Sequence, residues 1–350
     1  MSSRRCIYAG PVKIGGGAPI TVQSMTTVKT SDISAAAAQI KLLEEAGCDI
    51  VRVAVPDEAA ANAIFELKKN SGVPIVADIH FDHKLAIRAA EAGADKIRIN
   101  PGNIGGGDKV REIAGVCTKK RLPIRIGVNG GSISRAILER HGGVTAEAMY
   151  DSAIEHISLL NMYDFDDICV SVKASSAPLT IAAYRLLSER TDYPLHLGVT
   201  EAGTEYMGLV KSAVGIGTLL SEGIGDTIRV SLTAQPEREV KAGLAILRAV
   251  GLREGYELIS CPSCGRCGID LIPIAESVEK RLAGLGMNLT VAVMGCAVNG
   301  PGEAAQADYG IAGGAGEGVL FKRGRIIKKV PVDMLIDELF LMIESGERTR

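Results

Sequence analysis

The runs DIVRVAV (Asp49–Val55), PIVADI (Pro74–Ile79) and KIRIN (Lys96–Asn100) decide the architecture of this chain. Each is short and β-branched, the pattern of a buried strand. Between them lie DEAAANAIFELKKNSG and DHKLAIRAAEAGA, where apolar residues recur at helical spacing behind an Asp suited to an N-cap. Working outward, the alternation continues. ITVQSM (Ile20–Met25) comes before, with the helical SDISAAAAQIKLLEEAG after it. PIRIGVN (Pro123–Asn129), DICVSVK (Asp167–Lys173), LHLGVT (Leu195–Thr200) and TIRVSL (Thr227–Leu232) follow. Most of these strands start twenty-odd residues apart, which suits a βα unit, and Ser132–Leu160 has room for an extra helix.

Eight such units predict an α/β fold: an N-terminal (β/α)8 TIM barrel over residues 1–253, with a doubly wound sheet as the rival topology. The first 19 residues, with Gly15-Gly16-Gly17, read as a hairpin over the barrel floor. Residues 254–350 read as a smaller α/β module: strand ELIS, the loop CPSCGRC, a helix over Ile272–Leu285, and strand NLTVAVM. The loop GCAVNGPGEA, the hairpin GVLFKRGRIIKKV and a helix over Val332–Ser345 complete it.

Composition narrows the function. With 47% hydrophobic and 23% charged residues among 350, the chain is globular. Its formal net charge is −2 and its aromatic content 4%, which argues against nucleic-acid binding. The N-terminus lacks the apolar stretch of a signal peptide, and no apolar run reaches membrane-spanning length, so a cytoplasmic location is expected.

Barrel chemistry sits at the C-terminal ends of the strands. Those ends carry Arg52, Asp78 with His80, Arg98 with Asn100, Arg125 with Asn129, Lys173, Glu201, and Arg229 with Ser231. Interior parallel strands should be apolar, so cations converging on one rim predict an anion site. Lys173 also leaves open a Schiff-base aldolase. A barrel enzyme acting on a pterin or phosphosugar would instead centre on Lys173 or Asp78.

The last third holds Cys261, Cys264, Cys267 and Cys296, whereas Cys6, Cys48, Cys117 and Cys169 are isolated. Soft ligands on two loops favour an iron–sulfur cluster or zinc. The Gly/Pro-rich surroundings favour the cluster, as does the absence of a second CxxC pair. Glu303, in NGPGE, follows Cys296 on a loop of dictated path. A non-catalytic electron-transfer or zinc-scaffold protein is the alternative class, but it needs no cationic rim.

ISCPSCGRC with VMGCAVNGPGEA, and the barrel segments PITVQSMTT, VADIHFD, IRINPGN, IRIGVNGGS, SVKAS, GVTEAG and IRVSLT, closely resemble the 4-hydroxy-3-methylbut-2-enyl diphosphate synthase family of the methylerythritol phosphate pathway. The resemblance runs from about Pro19 to Gly314 and is to the compact bacterial form. It implies that the C-terminal module is an iron–sulfur domain with a [4Fe–4S] cluster on Cys261, Cys264 and Cys296, and Glu303 on the fourth iron. It implies a diphosphate clamp of Arg52, Arg98, Arg125 and Lys173, supported by Asn129, Ser231 and Arg229. Asp78 and His80 would lie near the site, and Glu201 would be the acid near the reacting carbons. The implied reaction is a two-electron reductive ring opening of 2-C-methyl-D-erythritol 2,4-cyclodiphosphate, fed by reduced flavodoxin or ferredoxin. The family's homodimer places each cluster domain over the partner's barrel. Cys267 departs from the pattern: it either replaces Glu303 as ligand or points into the core.

Overall fold

The structure, a computed structural model, describes residues 3–296, 302, 304–314 and 316–347. The chain divides into two compact units, Met1–Leu252 and Arg253–Arg350. The first opens with an antiparallel hairpin of β1 (Cys6–Ala9) and β2 (Val12–Gly15). Eight parallel strands follow: β3 (Thr21–Met25), β4 (Ile50–Ala54), β5 (Ile75–Asp78), β6 (Lys96–Ile99), β7 (Ile124–Asn129), β8 (Ile168–Lys173), β9 (His196–Leu197) and β10 (Thr227–Ile228). Their order is β8-β7-β6-β5-β4-β3-β10-β9, and a parallel bridge from Val170 to Leu195 brings β8 back to β9. The sheet is thus a (β/α)8 barrel rather than an open doubly wound sheet.

Local chemistry explains the elements. Asp32, Asp57 and Asp82 each accept a backbone N–H at the start of the helices Ile33–Glu45, Glu58–Asn70 and His83–Glu91. Alanines of the second and third helices pack on strand residues such as Val53, Ala77 and Ile97. The long interval before β8 holds two helices, Arg135–His141 and Ala146–Asn161. β9 and β10 are shorter than their apolar runs. The ladder stops at Gly198, where the Lys173 side chain crosses. The N-terminal hairpin closes the floor: Ile7, Ala9 and Ile14 pack against Ile50, Val76 and Cys169.

The second unit is a five-stranded sheet of β11 (Glu257–Ser260), β12 (Thr290–Met294), β13 (Tyr309–Gly313), β14 (Glu317–Lys322) and β15 (Arg325–Pro331), in that order. β11 to β13 are parallel, and β14 and β15 continue antiparallel. The helices Leu271–Leu285 and Leu335–Glu347 bury Val278, Leu282, Leu339 and Ile343 against it. β13 was not among the expected strands, because YGIAG carries too few large apolar residues to read as one. It is buried because its glycines admit neighbours: a Cβ on Gly310 would meet the Phe321 ring, and one on Gly313 would meet Ile269. Among the described residues no helix is long and apolar enough to cross a membrane.

Candidate active site

The barrel interior departs from the apolar layers that usually fill such barrels. Arg52, Asp78, Lys96, Arg98, Arg125, Lys173 and His196 are all buried. Alternation along each strand explains this: Lys96 and Arg98 on β6, and Cys169, Ser171 and Lys173 on β8, share inward parity. Asp78 organises the mouth. Its carboxylate accepts Arg98 Nη1 at 3.0 Å and lies 3.7 Å from Arg52 Nε and 3.3 Å from His80 Nε2. Burial would push this carboxyl up. Arg52, the His80 hydrogen bond, Arg98 and Arg125 outweigh burial and hold it well below the usual range.

Two glycines let cations cross neighbouring strands. A Cβ on Gly127 would sit 2.7 Å from Arg98 Nε, and one on Gly198 would sit 2.5 Å from Lys173 Nζ. Arg125 Nη1 donates to Ser171 Oγ at 2.9 Å, while its Nε and Nη2 have no partner among the described residues. Burial first, then Arg125, Arg229, Arg52 and Arg98, pull the Lys173 pKa well down. Arg52 is likewise lowered by burial and by its arginine neighbours against the pull of Asp78. The mouth holds more positive charge than it can neutralise.

Glu239, from the helix Pro236–Ala249, is a residue that the sequence reading missed. This buried carboxylate accepts Ser24 Oγ at 3.0 Å, Leu232 N at 3.0 Å and Arg229 Nη2 at 3.4 Å. It fixes Arg229 from outside the strand. Ser231 and Asn129 are half-buried near their strand ends, and Asn129 stands opposite Lys173 in the β7–β8 ladder. Glu201 is exposed, with φ of +51° in the left-handed region. Strain of this kind at a non-glycine residue clusters at functional sites.

In the second unit, Cys261 follows β11 and Cys296 follows β12, so parallel neighbours deliver both to one end of the sheet. Gly295 N donates to Cys261 Sγ at 3.2 Å, which suits a sulfur carrying negative charge. Cys264 is exposed, its thiol lowered by backbone and side-chain hydrogen bonds from Arg266. Cys267 differs in its hydrogen bond: its thiol donates to the Ile269 carbonyl at 3.1 Å, while it packs on the unit's core as Cys261 does. Among the described residues no three Cys, His, Asp or Glu side chains converge into a metal site, and Glu303 lies outside them. Three thiols from two loops, with backbone N–H groups beside them, fit an iron–sulfur centre better than a four-ligand zinc site.

Fold and site together define a (β/α)8 barrel protein with a cation-rich interior and a second unit that carries thiols on two loops at one end of its sheet. Residues 4–244 match the family profile described as the GcpE TIM-barrel domain, and residues 257–345 match the GcpE protein C-terminal domain. The chain belongs to the GcpE family. It is 59% identical to a protein of Ruminiclostridium cellulolyticum over 97% of this chain and 96% of that one. It is 57% identical to one of Caldanaerobacter subterraneus over 97% and 96%. Both relatives bear the name 4-hydroxy-3-methylbut-2-en-1-yl diphosphate synthase (flavodoxin). In fold alone, the chain is similar to a type I 3-dehydroquinate dehydratase of Clostridium difficile. The TM-score is 0.52 at 14% identity, covering 70% of this chain and 97% of that one.

Proposed function

We propose that this protein is a 4-hydroxy-3-methylbut-2-enyl diphosphate synthase. It opens 2-C-methyl-D-erythritol 2,4-cyclodiphosphate reductively, expels the hydroxyl as water and leaves an allylic diphosphate. The observation that carries this reading is the surplus of cations in the barrel: buried Arg52, Arg98, Arg125 and Lys173, with half-buried Arg229, facing only Asp78 and Glu239 among the described residues. A diphosphate relieves that repulsion, and its binding energy is spent away from the reacting carbons.

A [4Fe–4S] centre held by Cys261, Cys264, Cys296 and Glu303 would supply single electrons and a Lewis-acidic iron. The chain's own residues do the rest. Arg98 and Arg52, ordered by Asp78 and His80, clamp the phosphates with Arg125 and Lys173. Arg229, fixed by Glu239, closes the far side with Ser231 and Asn129. Glu201 delivers the proton that the leaving hydroxyl takes away as water. The partners in this reading are flavodoxin as electron donor and a second copy of the chain.

Anaerobic turnover of the cyclodiphosphate with dithionite tests the proposal, the product being identified by mass spectrometry. An allylic diphosphate is expected, and its absence would overturn the reading. Two residue-level outcomes follow. Gly127→Ala displaces the Arg98 guanidinium and removes one charged hydrogen bond from the clamp. KM should rise roughly tenfold or more with little change in kcat. Cys267→Ser should keep the brown iron–sulfur absorption of the holoenzyme, whereas Cys296→Ser should lose it. The reverse pattern would make Cys267 a ligand.

A further inference from the structure

Residues 253–350 carry 11 Lys and Arg against 13 Asp and Glu, so the second unit is slightly acidic as a whole. Yet Lys322, Arg323, Arg325, Lys328 and Lys329 fall within eight consecutive residues. They ring the β14–β15 hairpin, whose outer strand is the edge of the sheet. Arg323 faces Asp308 at 3.5 Å and Lys328 faces Glu338 at 2.5 Å. Arg325 and Lys329 are exposed and have no acidic partner among the described residues. Between the cations, Ile326 and Ile327 are each 57% exposed.

Charge on an edge strand commonly guards against strand pairing. The bulge opposite Leu320 and Phe321 already disrupts pairing along this edge, yet the two adjacent isoleucines beside it stay exposed. The register sets Arg325 and Lys328 on one face of the edge strand and Ile326 and Lys329 on the other, so exposed apolar groups along the edge are flanked on both sides by one sign of charge, the pattern of a small, electrostatically steered encounter surface. Register ties this surface to the thiol loops. Met294 pairs with Ala312, Ala312 with Val319, and Val319 with Lys329. Lys329 therefore shares a rung with the residue two positions before Cys296. Three strand spacings, about 14 Å, separate them.

We propose that the β14–β15 hairpin is the docking surface for an electron-donating flavoprotein of acidic face, the charge complement of Arg325 and Lys329. The inference rests on the functional reading above and adds where the donor lands. Arg325 and Lys329 steer the approach, Ile326 and Ile327 make the dry centre, and the shared sheet holds the donor near the thiol loops.

Oxidised flavodoxin titrated calorimetrically into the holoenzyme tests this at low and high salt. Turnover is measured beside it, with reduced flavodoxin and with dithionite. For the double variant Arg325→Glu/Lys329→Glu, flavodoxin affinity should fall roughly tenfold or more at low salt. KM for reduced flavodoxin should rise by a similar factor, and dithionite-driven turnover should stay unchanged. Ile326→Ser/Ile327→Ser should weaken binding while keeping its salt dependence. Unchanged flavodoxin affinity in the charge-reversed variant would overturn the proposal. So would a loss of self-association with flavodoxin binding intact, since the hairpin would then join copies of the chain. Absence of dithionite-driven turnover in the wild type would sink the functional reading instead, and the titration would still decide the docking surface.

Discussion

Replacing Asp78 by Asn is expected to lower the stability of the barrel by about 3–5 kcal/mol. Asp78 is the buried carboxylate between Arg52, Arg98 and His80. Asn keeps the shape but leaves two buried guanidinium groups without their counterion. The sign of the pH dependence follows from the depressed carboxyl. An acid whose folded pKa lies below its unfolded value stabilises above the unfolded pKa and loses that contribution as pH falls. The gap between wild type and Asp78→Asn should therefore be full at pH 7 and begin to close as pH drops through the ordinary carboxylate range near 3.8. Denaturant titration of both proteins across that range is the measurement. A gap that does not change with pH would mean that Asp78 acts through shape alone.

Lys96→Met should move stability the other way. The Lys96 ammonium is fully buried, has no hydrogen-bond partner among the described residues, and sits one layer below Arg98. Burial first, opposed by Cys169 and then reinforced by Arg125 and Arg52, pushes its pKa from 10.5 down to about 8. Below pH 8 the folded protein carries a charge that it holds poorly. A drop of that size is worth about 3 kcal/mol. Because the unfolded chain keeps its proton longer, wild-type stability should climb between about pH 8 and 10.5. Met fills a similar length with no charge. The variant should be more stable by about 3 kcal/mol at pH 7, and the climb should flatten. It should also bind diphosphate less tightly, the usual exchange of stability for a functional charge. Equal stability of the two proteins at pH 7 would show that the folded protein holds the Lys96 charge as well as the unfolded chain does.

What could be read from the chain, and what could not, has a physical pattern. Parallel strands buried on both faces must be nearly continuous apolar runs. Arg52, Arg98, Arg125 and Lys173 therefore stood out as interruptions, and all four are buried in the barrel interior, Arg125 deepest, near the start of β7. Glu239 did not stand out, because a glutamate among the charges of PEREVKAGLAILRA reads as a solvated helix face. Only the packing of that helix on β3 and β10 aims it at Ser24 and Arg229. Lys96 and His196 were passed over because each opens its strand, where a polar residue passes for an entrance. Spacing could not orient Cys267, whereas its contact with the Ile269 carbonyl does. The parts played by Gly127 and Gly198 are invisible in one dimension, since each serves a side chain from another strand.

The hairpin of β1 and β2 makes the barrel a blind well. With Ile7, Ala9 and Ile14 seated beneath Ile50, Val76 and Cys169, nothing passes through the floor. A vessel with one opening imposes an order of events: whatever lodges on the cations leaves by the way it came, and nothing enters until it has gone. A diphosphate product must then compete directly with the next substrate molecule. Inhibition patterns measured with added product should show it raising KM while leaving kcat untouched.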